Sequence, residues 1–432
     1  MALVSVVKSS LYNALGLGLP LVVAVFSIPI LINELGDAQF GLLTLVWAVV
    51  GYFGLFDLGL GRALTQQLSV AIARGNEEKI PPLVMTAILL MVCLGLLSAL
   101  LMAFLAPLYV GSIDSVPDKE NLSNAIICMA ASIPAIVLTS GFRGVLEARG
   151  KFGIINLIRL PMGLFTFLGP VFVVSYFGPS MFFITCVLAV GRVLACVVHA
   201  FFALNDLNLK GEWCFRKELA KSLCVSGGWL TLSNLISPLM SFVDRLFVGW
   251  QVSSSAVAYY STPQEIVTKL AIIPSALTSV LFPRFSARFS SAGNEIKGIY
   301  YSSVIGISLI ILIPSAVLSV WSHEIMSMWI STEFAHASSS LLAVFSWGMF
   351  IACIATIPFT LIQSAGGAKL TAMFHFVEFP IFIGLLYFLL NSYGAIGAAY
   401  AWFLRNLMDA IILFVAANFY LNGNKYFSDK EL

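Results

Sequence analysis

Long apolar runs separated by short polar breaks run the length of the chain. An α-helix needs roughly 20 apolar residues to cross hydrocarbon. On that scale the runs predict about twelve spanning helices, near 11–32, 40–60, 83–110, 123–145, 154–177, 180–204, 222–248, 257–283, 298–321, 338–362, 371–390 and 396–420. The breaks are too short for a sizeable water-soluble domain. The run after Lys8 is longer than a signal-peptide core, so it is expected to remain as the first span.

A second pattern is internal. Gly75, Asn76, Glu77 and Lys79 follow the second predicted helix, and Gly293, Asn294, Glu295 and Lys297 follow the eighth; Pro20 and Pro238 share that offset. The chain therefore reads as two six-helix halves, 1–210 and 211–432. An even number of spans in each half makes the repeats parallel, related by an axis along the membrane normal.

Composition changes this picture little but excludes much. At 59% hydrophobic and 10% charged, the chain lies far from the roughly 25% charged of soluble domains, and the expected fold class is an all-α polytopic membrane protein. A net charge of +2 without a basic stripe argues against nucleic acid. With Lys8 placed in the cytoplasm, the inner segments collect Arg74, Lys79, Arg143, Arg149, Lys151 and most later basic residues, against Lys119 in the outer loops. This bias puts both termini in the cytoplasm. The seven cysteines have no metal-ligand or redox spacing and read as small core residues. No loop ends in Gly-Lys-Ser/Thr, and the longest hydrophilic stretch, about 205–221, cannot hold an ATPase. No loop gathers an acid/base or nucleophile constellation, so the protein is not expected to be an enzyme or to carry a cofactor or metal.

The candidate chemistry lies in charges that fall within the apolar runs: Arg192, Arg245, Lys269, Arg405, Asp57, Asp244, Glu265, Glu378 and Asp409. Each costs roughly 2.5–3.5 kcal/mol at mid-bilayer on insertion scales, so they are expected to face the bundle interior or a wet cavity. Glu265 and Lys269 are four residues apart, as are Arg405 and Asp409, and each pair can neutralise itself along one helical face. Asp244 and Arg245 are adjacent, point about 100° apart, and need partners elsewhere. Arg192 has no acid within a turn. Asp57 sits among Gly51, Gly54, Gly59 and Gly61, with Arg62 one turn on, a setting that suits either tight packing or a gate. His199 and His375 read as isolated interior imidazoles.

The segment IPILINELGDAQFGLLTLVWAVVGYFGLFDLGLGRALTQ at 28–66 resembles the polysaccharide-export flippases that move lipid-linked O-antigen repeat units (the Wzx type). DRLFVGW at 244–250, AYYSTPQEIVTKL at 258–270 and ALTSVLFPRFS at 276–286 are similar to the same family, which shares a superfamily with multidrug and toxic-compound extruders. The resemblance implies two six-helix lobes around a central V-shaped cavity lined by helices 1, 2, 7 and 8. It implies an undecaprenyl-diphosphate-linked glycan as substrate, carried by alternating access across a bacterial inner membrane, with a polysaccharide polymerase and chain-length machinery as partners. Lys269, Arg245, Arg192, Arg62 and Arg405 are then the cations to meet the diphosphate. Asp57, Asp244, Glu265, Glu378 and Asp409 are the acids to gate or couple transport, with proton or sodium coupling left open. The alternative is a cation-coupled multidrug or small-metabolite antiporter of the same fold.

Overall fold

A computed structural model describes residues 2–53, 57–112, 118–205, 213–225, 239–240, 242–289 and 293–422. These residues are almost entirely helical and contain no strand. Ten of the helices among them are long and apolar enough to cross a membrane; part of the predicted span 222–248 lies outside the described residues. The chain divides into two compact units, Met1–Phe242 and Val243–Leu432.

The first unit holds α1 (Ala2–Phe53), α2 (Leu60–Ala73), α3 (Ile80–Gly111), α4 (Lys119–Ala130), α5 (Ile133–Ala148), α6 (Phe152–Phe177) and α7 (Met181–Asn205). The spans predicted at 11–32 and 40–60 are two helical stretches within α1 that meet at a kink at Gly36, where the backbone is not helical and φ is 74°, a region that glycine tolerates; residues 54–56 of the second span lie outside the described residues. The predicted span 123–145 is broken at Ala131 and Ser132, where Pro134 cannot donate to the carbonyl one turn back. Along α3 one face is buried through Leu83, Val84, Ala87 and Met91, while Leu97, Leu100, Leu101 and Phe104 are exposed. An apolar stripe of that size suits acyl chains and not water. Hydroxyls inside the apolar layers fold back onto their own helices: Thr86 donates to the Pro82 carbonyl at 2.6 Å and Ser338 to the Phe334 carbonyl at 2.7 Å.

Helices α2 and α5 approach closely because both carry glycine at the contact. A Cβ on Gly144 would lie 2.6 Å from Thr65 Oγ1 and 2.8 Å from the Gly61 carbonyl oxygen. Gly144→Leu is therefore expected to destabilise the protein by about 1–3 kcal/mol through overpacking. The unfolding midpoint in detergent checks this, with Gly153→Leu, where nothing lies within 4 Å of the Cβ position, staying near wild type.

The structure also pairs two cysteines that spacing left unrelated: Cys128 Sγ on α4 lies 3.0 Å from Cys186 Sγ on α7. A mild thiol oxidant is expected to join them, and non-reducing peptide mapping would show the 128–186 cross-link in preference to one involving the exposed Cys93.

The second unit holds α8 (Val243–Gln251), α9 (Ser254–Thr268), α10 (Ile272–Phe289), α11 (Gly293–Val320), α12 (Ser322–Trp329), α13 (Thr332–Ser364), α14 (Ala368–Tyr393) and α15 (Ala395–Leu421). Its axis is α13, which packs against α9, α10, α11, α12 and α15. The predicted span 257–283 is interrupted by a 3₁₀ turn at Lys269–Ala271. Pro274 has no N–H for the Leu270 carbonyl, which is what tightens the helix there.

Candidate functional site: buried charges on four helices of the second unit

Helices α8 and α9 fold back on one another through a short turn in which the Ser253 side chain accepts a hydrogen bond from the Ala256 N–H at 3.0 Å and caps α9. The turn brings the start of α8 beside the polar face of α9. Asp244 is fully buried and accepts three hydrogen bonds: from the Tyr260 hydroxyl at 2.7 Å, Gln264 Nε2 at 2.9 Å and the Arg245 backbone N–H at 2.9 Å. Arg245 points away from it, donating from Nε to Gln264 Oε1 at 2.8 Å and from a terminal nitrogen to Glu265 Oε1 at 3.1 Å. Gln264 thus bridges the two, its amide donating to the acid and accepting from the base.

Glu265 carries the charge outward. Its second oxygen receives Lys269 Nζ at 2.9 Å, the i,i+4 pair expected from spacing. The Arg245 side chain is 7% exposed, those of Glu265 and Lys269 43% and 44%. The row therefore runs from a sealed acid, through a buried arginine, to an accessible ammonium. Lys269 lies in the 3₁₀ turn where the helix is interrupted. Tyr260 is held by its ring, edge-on to Phe345 at 4.9 Å, with Phe345 in turn edge-on to Trp402 at 5.3 Å.

A second group sits on α14 and α15. His375 Nδ1 lies 3.3 Å from Glu378 Oε2, and one donor atom from each of His375, Glu378 and Asp409 falls within 4.8 Å of the others. Glu378 is 1% exposed. Glu378 Oε1, Asp409 Oδ1, Arg405 Nε and Asn406 Nδ2 are buried without a hydrogen-bond partner among the described residues. Arg405 is within Coulombic reach of Asp409, Glu378, Asp244 and Tyr260, so it links the two groups. Its guanidinium carbon lies over the Phe382 ring, 5.8 Å from the centroid. The i,i+4 spacing of Arg405 and Asp409 does not close into an ion pair among the described residues.

The remaining candidates lie in the first unit. Asp57 accepts from the Gly59 and Gly61 N–H groups at 3.0 and 3.1 Å and from the Ser140 hydroxyl at 2.7 Å, at the N-terminus of α2. A carboxylate there satisfies helix donors that have no partner of their own, and Leu58 and Gly59 reach that turn with φ of 48° and 68°. Arg62 is exposed on the first turn of α2, and Arg192 is half-buried on α7 with no hydrogen-bond or ion-pair partner among the described residues. His199 is a satisfied interior imidazole, its Nδ1 2.8 Å from the Ala195 carbonyl oxygen. His375 is not isolated. Its companion Glu378 follows three residues on, a same-face signal readable in the sequence, whereas Tyr260 and Gln264 carry no charge and gave no signal.

The described helices make this a multi-pass helical membrane protein, and its sequence relatives place it among transporters. The chain superposes on an inward-facing multidrug resistance MATE family transporter of the MOP superfamily with a TM-score of 0.80, at 15% identity over 96% of this chain and 99% of that one. The outward-facing conformation of a transporter of the same description gives 0.68 at 14% identity, over 97% and 96%. The chain belongs to the polysaccharide biosynthesis protein family, whose model matches residues 6–289; the MatE family model matches residues 230–388. It is 31% identical to a Shigella flexneri protein named as an O-antigen transporter, over 95% of this chain and 97% of that one. It is 23% identical to a Haloferax volcanii protein named as a low-salt glycan biosynthesis flippase, over 94% and 82%.

Proposed function

We propose that the protein is a flippase that carries a lipid-linked oligosaccharide repeat unit, of the O-antigen or a related surface polysaccharide, from the cytoplasmic to the outer leaflet of a bacterial inner membrane by alternating access. The observation that carries this reading is the 31% identity to the Shigella flexneri O-antigen transporter along nearly the whole of both chains. The chemistry agrees with it. A polyprenyl diphosphate brings about two negative charges that hydrocarbon rejects, and an inward lysine or arginine can pair with them.

Within that reading we assign the cations different roles, supported by the exposure and pairing of each. Lys269 has an exposed ammonium on an interrupted helix and is the candidate phosphate contact; Arg245 is sealed and holds Glu265, which in turn aims Lys269. Arg192 and Arg62 are the candidates in the first unit, and Arg405 is a buried positioning charge. Both termini face the cytoplasm, and the polysaccharide polymerase and chain-length machinery receive the product. A proton or sodium gradient supplies the driving force, with Asp57, Asp244, Glu265, Glu378 and Asp409 as the acids available to couple it.

Reconstitution tests the reading. In proteoliposomes holding a labelled undecaprenyl-diphosphate oligosaccharide, the protein is expected to make inner-leaflet label accessible to an external glycosidase, and an imposed pH or sodium gradient is expected to change the rate. Accessibility no faster than in protein-free vesicles contradicts flipping. A rate indifferent to both gradients removes the coupling alone.

A further inference from the structure

Residues 213–225 carry none of the charges invoked for transport, yet they hold a basic ridge at a fixed place on the first unit. A non-helical lead-in, 213–216, runs into a helix over 217–225. Leu223 is fully buried in the hydrophobic core that α2, α3 and α5 build, and Leu219 and Trp213 pack against the same core. Two hydrogen bonds add to this seat. The Arg216 backbone N–H donates to Thr86 Oγ1 on α3 at 3.2 Å, and Gln67 Nε2 on α2 donates to Ser222 Oγ at 3.0 Å.

The opposite ridge is charged. Lys217 and Lys221 stand one turn apart on a single face, about 160° round the helix from Leu219 and Leu223. Both lysines are exposed, and neither has a hydrogen-bond or ion-pair partner among the described residues. Glu218 is exposed one step round the helix and pairs with neither of them. With Arg216 immediately before, the stretch sets three cations against one carboxylate.

Depth decides what can meet them. Thr86 lies six residues into α3 from Ile80, about 9 Å along the axis at roughly 1.5 Å per residue. The lead-in therefore sits level with the first apolar turns of a spanning helix, and Phe215 is 45% exposed there. Helices with a basic ridge and an exposed aromatic ring, about 5–10 Å into the layer, lie at the boundary between headgroups and acyl chains. The ring enters hydrocarbon, and the lysine stems reach back to the phosphates. Charge complementarity chooses the occupant: clustered lysine and arginine beside a membrane attract lipids whose headgroups carry net negative charge.

We propose that residues 213–225 form a binding surface for anionic phospholipid at the edge of the first unit, with Lys217 and Lys221 meeting the headgroup phosphate and Phe215 the acyl chains. The surface is independent of which substrate the protein carries.

The test uses the full chain purified in detergent and titrated with fluorescent phosphatidylglycerol or, separately, fluorescent phosphatidylcholine. Each lysine beside an anionic headgroup is worth about a factor of five, so the wild type is expected to bind phosphatidylglycerol at least tenfold more tightly, with the preference fading as salt screens it. Lys217→Gln and Lys221→Gln are each expected to lose about fivefold, and together to bring phosphatidylglycerol close to phosphatidylcholine. Lys217→Arg keeps the preference, and so does Lys119→Gln, which removes the same charge from another loop. Phe215→Ser weakens both lipids. The wild-type preference and its salt dependence are readouts that stand even where a variant folds poorly. Equal binding of the two lipids, a loss in Lys119→Gln as large as in the lysine pair, displacement of phosphatidylglycerol by equimolar inorganic phosphate, or tight binding confined to a polyprenyl diphosphate overturns the surface.

Discussion

Asp244→Ala is expected to lower the stability of the detergent-purified protein by about 3–5 kcal/mol, the usual cost of removing one partner from a buried charged network. Asp244 is fully buried and accepts from Tyr260, Gln264 and the Arg245 backbone N–H. Alanine leaves two side-chain donors unsatisfied and takes a negative charge from beside Arg245 and Arg405, which both sense it. Asp244→Asn keeps the volume but turns an amide N–H toward groups that donate, so an intermediate loss is expected. Tyr260→Phe removes one hydrogen bond and keeps the ring contact with Phe345, for a loss of about 1–2 kcal/mol. The order Ala, Asn, Phe in falling severity, read from unfolding midpoints, is the signature; three equal and small shifts would show that the network is solvated.

Lys269→Gln is expected to reduce flipping at least tenfold while leaving the unfolding midpoint close to wild type. The Lys269 side chain is 44% exposed and its pair with Glu265 lies at the edge of the network, so its loss costs little stability. A charge-assisted hydrogen bond to a phosphate is worth about 1.5–3 kcal/mol, and 1.4 kcal/mol is a factor of ten. Lys269→Arg is expected to retain most activity, since a guanidinium pairs with phosphate as well. Glu265→Gln has a different signature: it leaves the 7% exposed Arg245 side chain without its carboxylate, so stability and transport fall together. Full activity in Lys269→Gln would remove Lys269 from the substrate path.

The contrast between these variants also marks how far the residues spoke for themselves. Multi-pass architecture was legible because bilayer thickness leaves few alternatives for apolar runs of this length. The Glu265 and Lys269 pair was legible because both partners share one helix at i,i+4, and the adjacency of Asp244 and Arg245 forced the expectation of partners elsewhere. Which partners was not legible: Tyr260 and Gln264 meet Asp244 only because the chain reverses at Ser253. Helical spacing put Arg405 and Asp409 within Coulombic reach of one another, but it did not show that the guanidinium lies over Phe382 and the carboxylate faces Glu378 and His375. Asp57 offered two readings, and its hydrogen bonds now place it at the head of α2. The kink at Gly36 falls in the polar break at 33–39 that separates the first two predicted spans, whereas the 3₁₀ turn before Pro274 lies inside a single predicted span, where the apolar pattern does not mark it.

The measurement that tests the central claim most directly is the leaflet distribution of the lipid-linked repeat unit in cells lacking this protein, with and without complementation. The flippase reading predicts that single repeat units accumulate on undecaprenyl diphosphate in the cytoplasmic leaflet and surface polysaccharide disappears. The wild-type chain restores both, and Lys269→Gln restores them poorly. Normal surface polysaccharide with no accumulated repeat unit would contradict it, and an accompanying change in sensitivity to organic cations would assign the protein to drug or metabolite antiport instead.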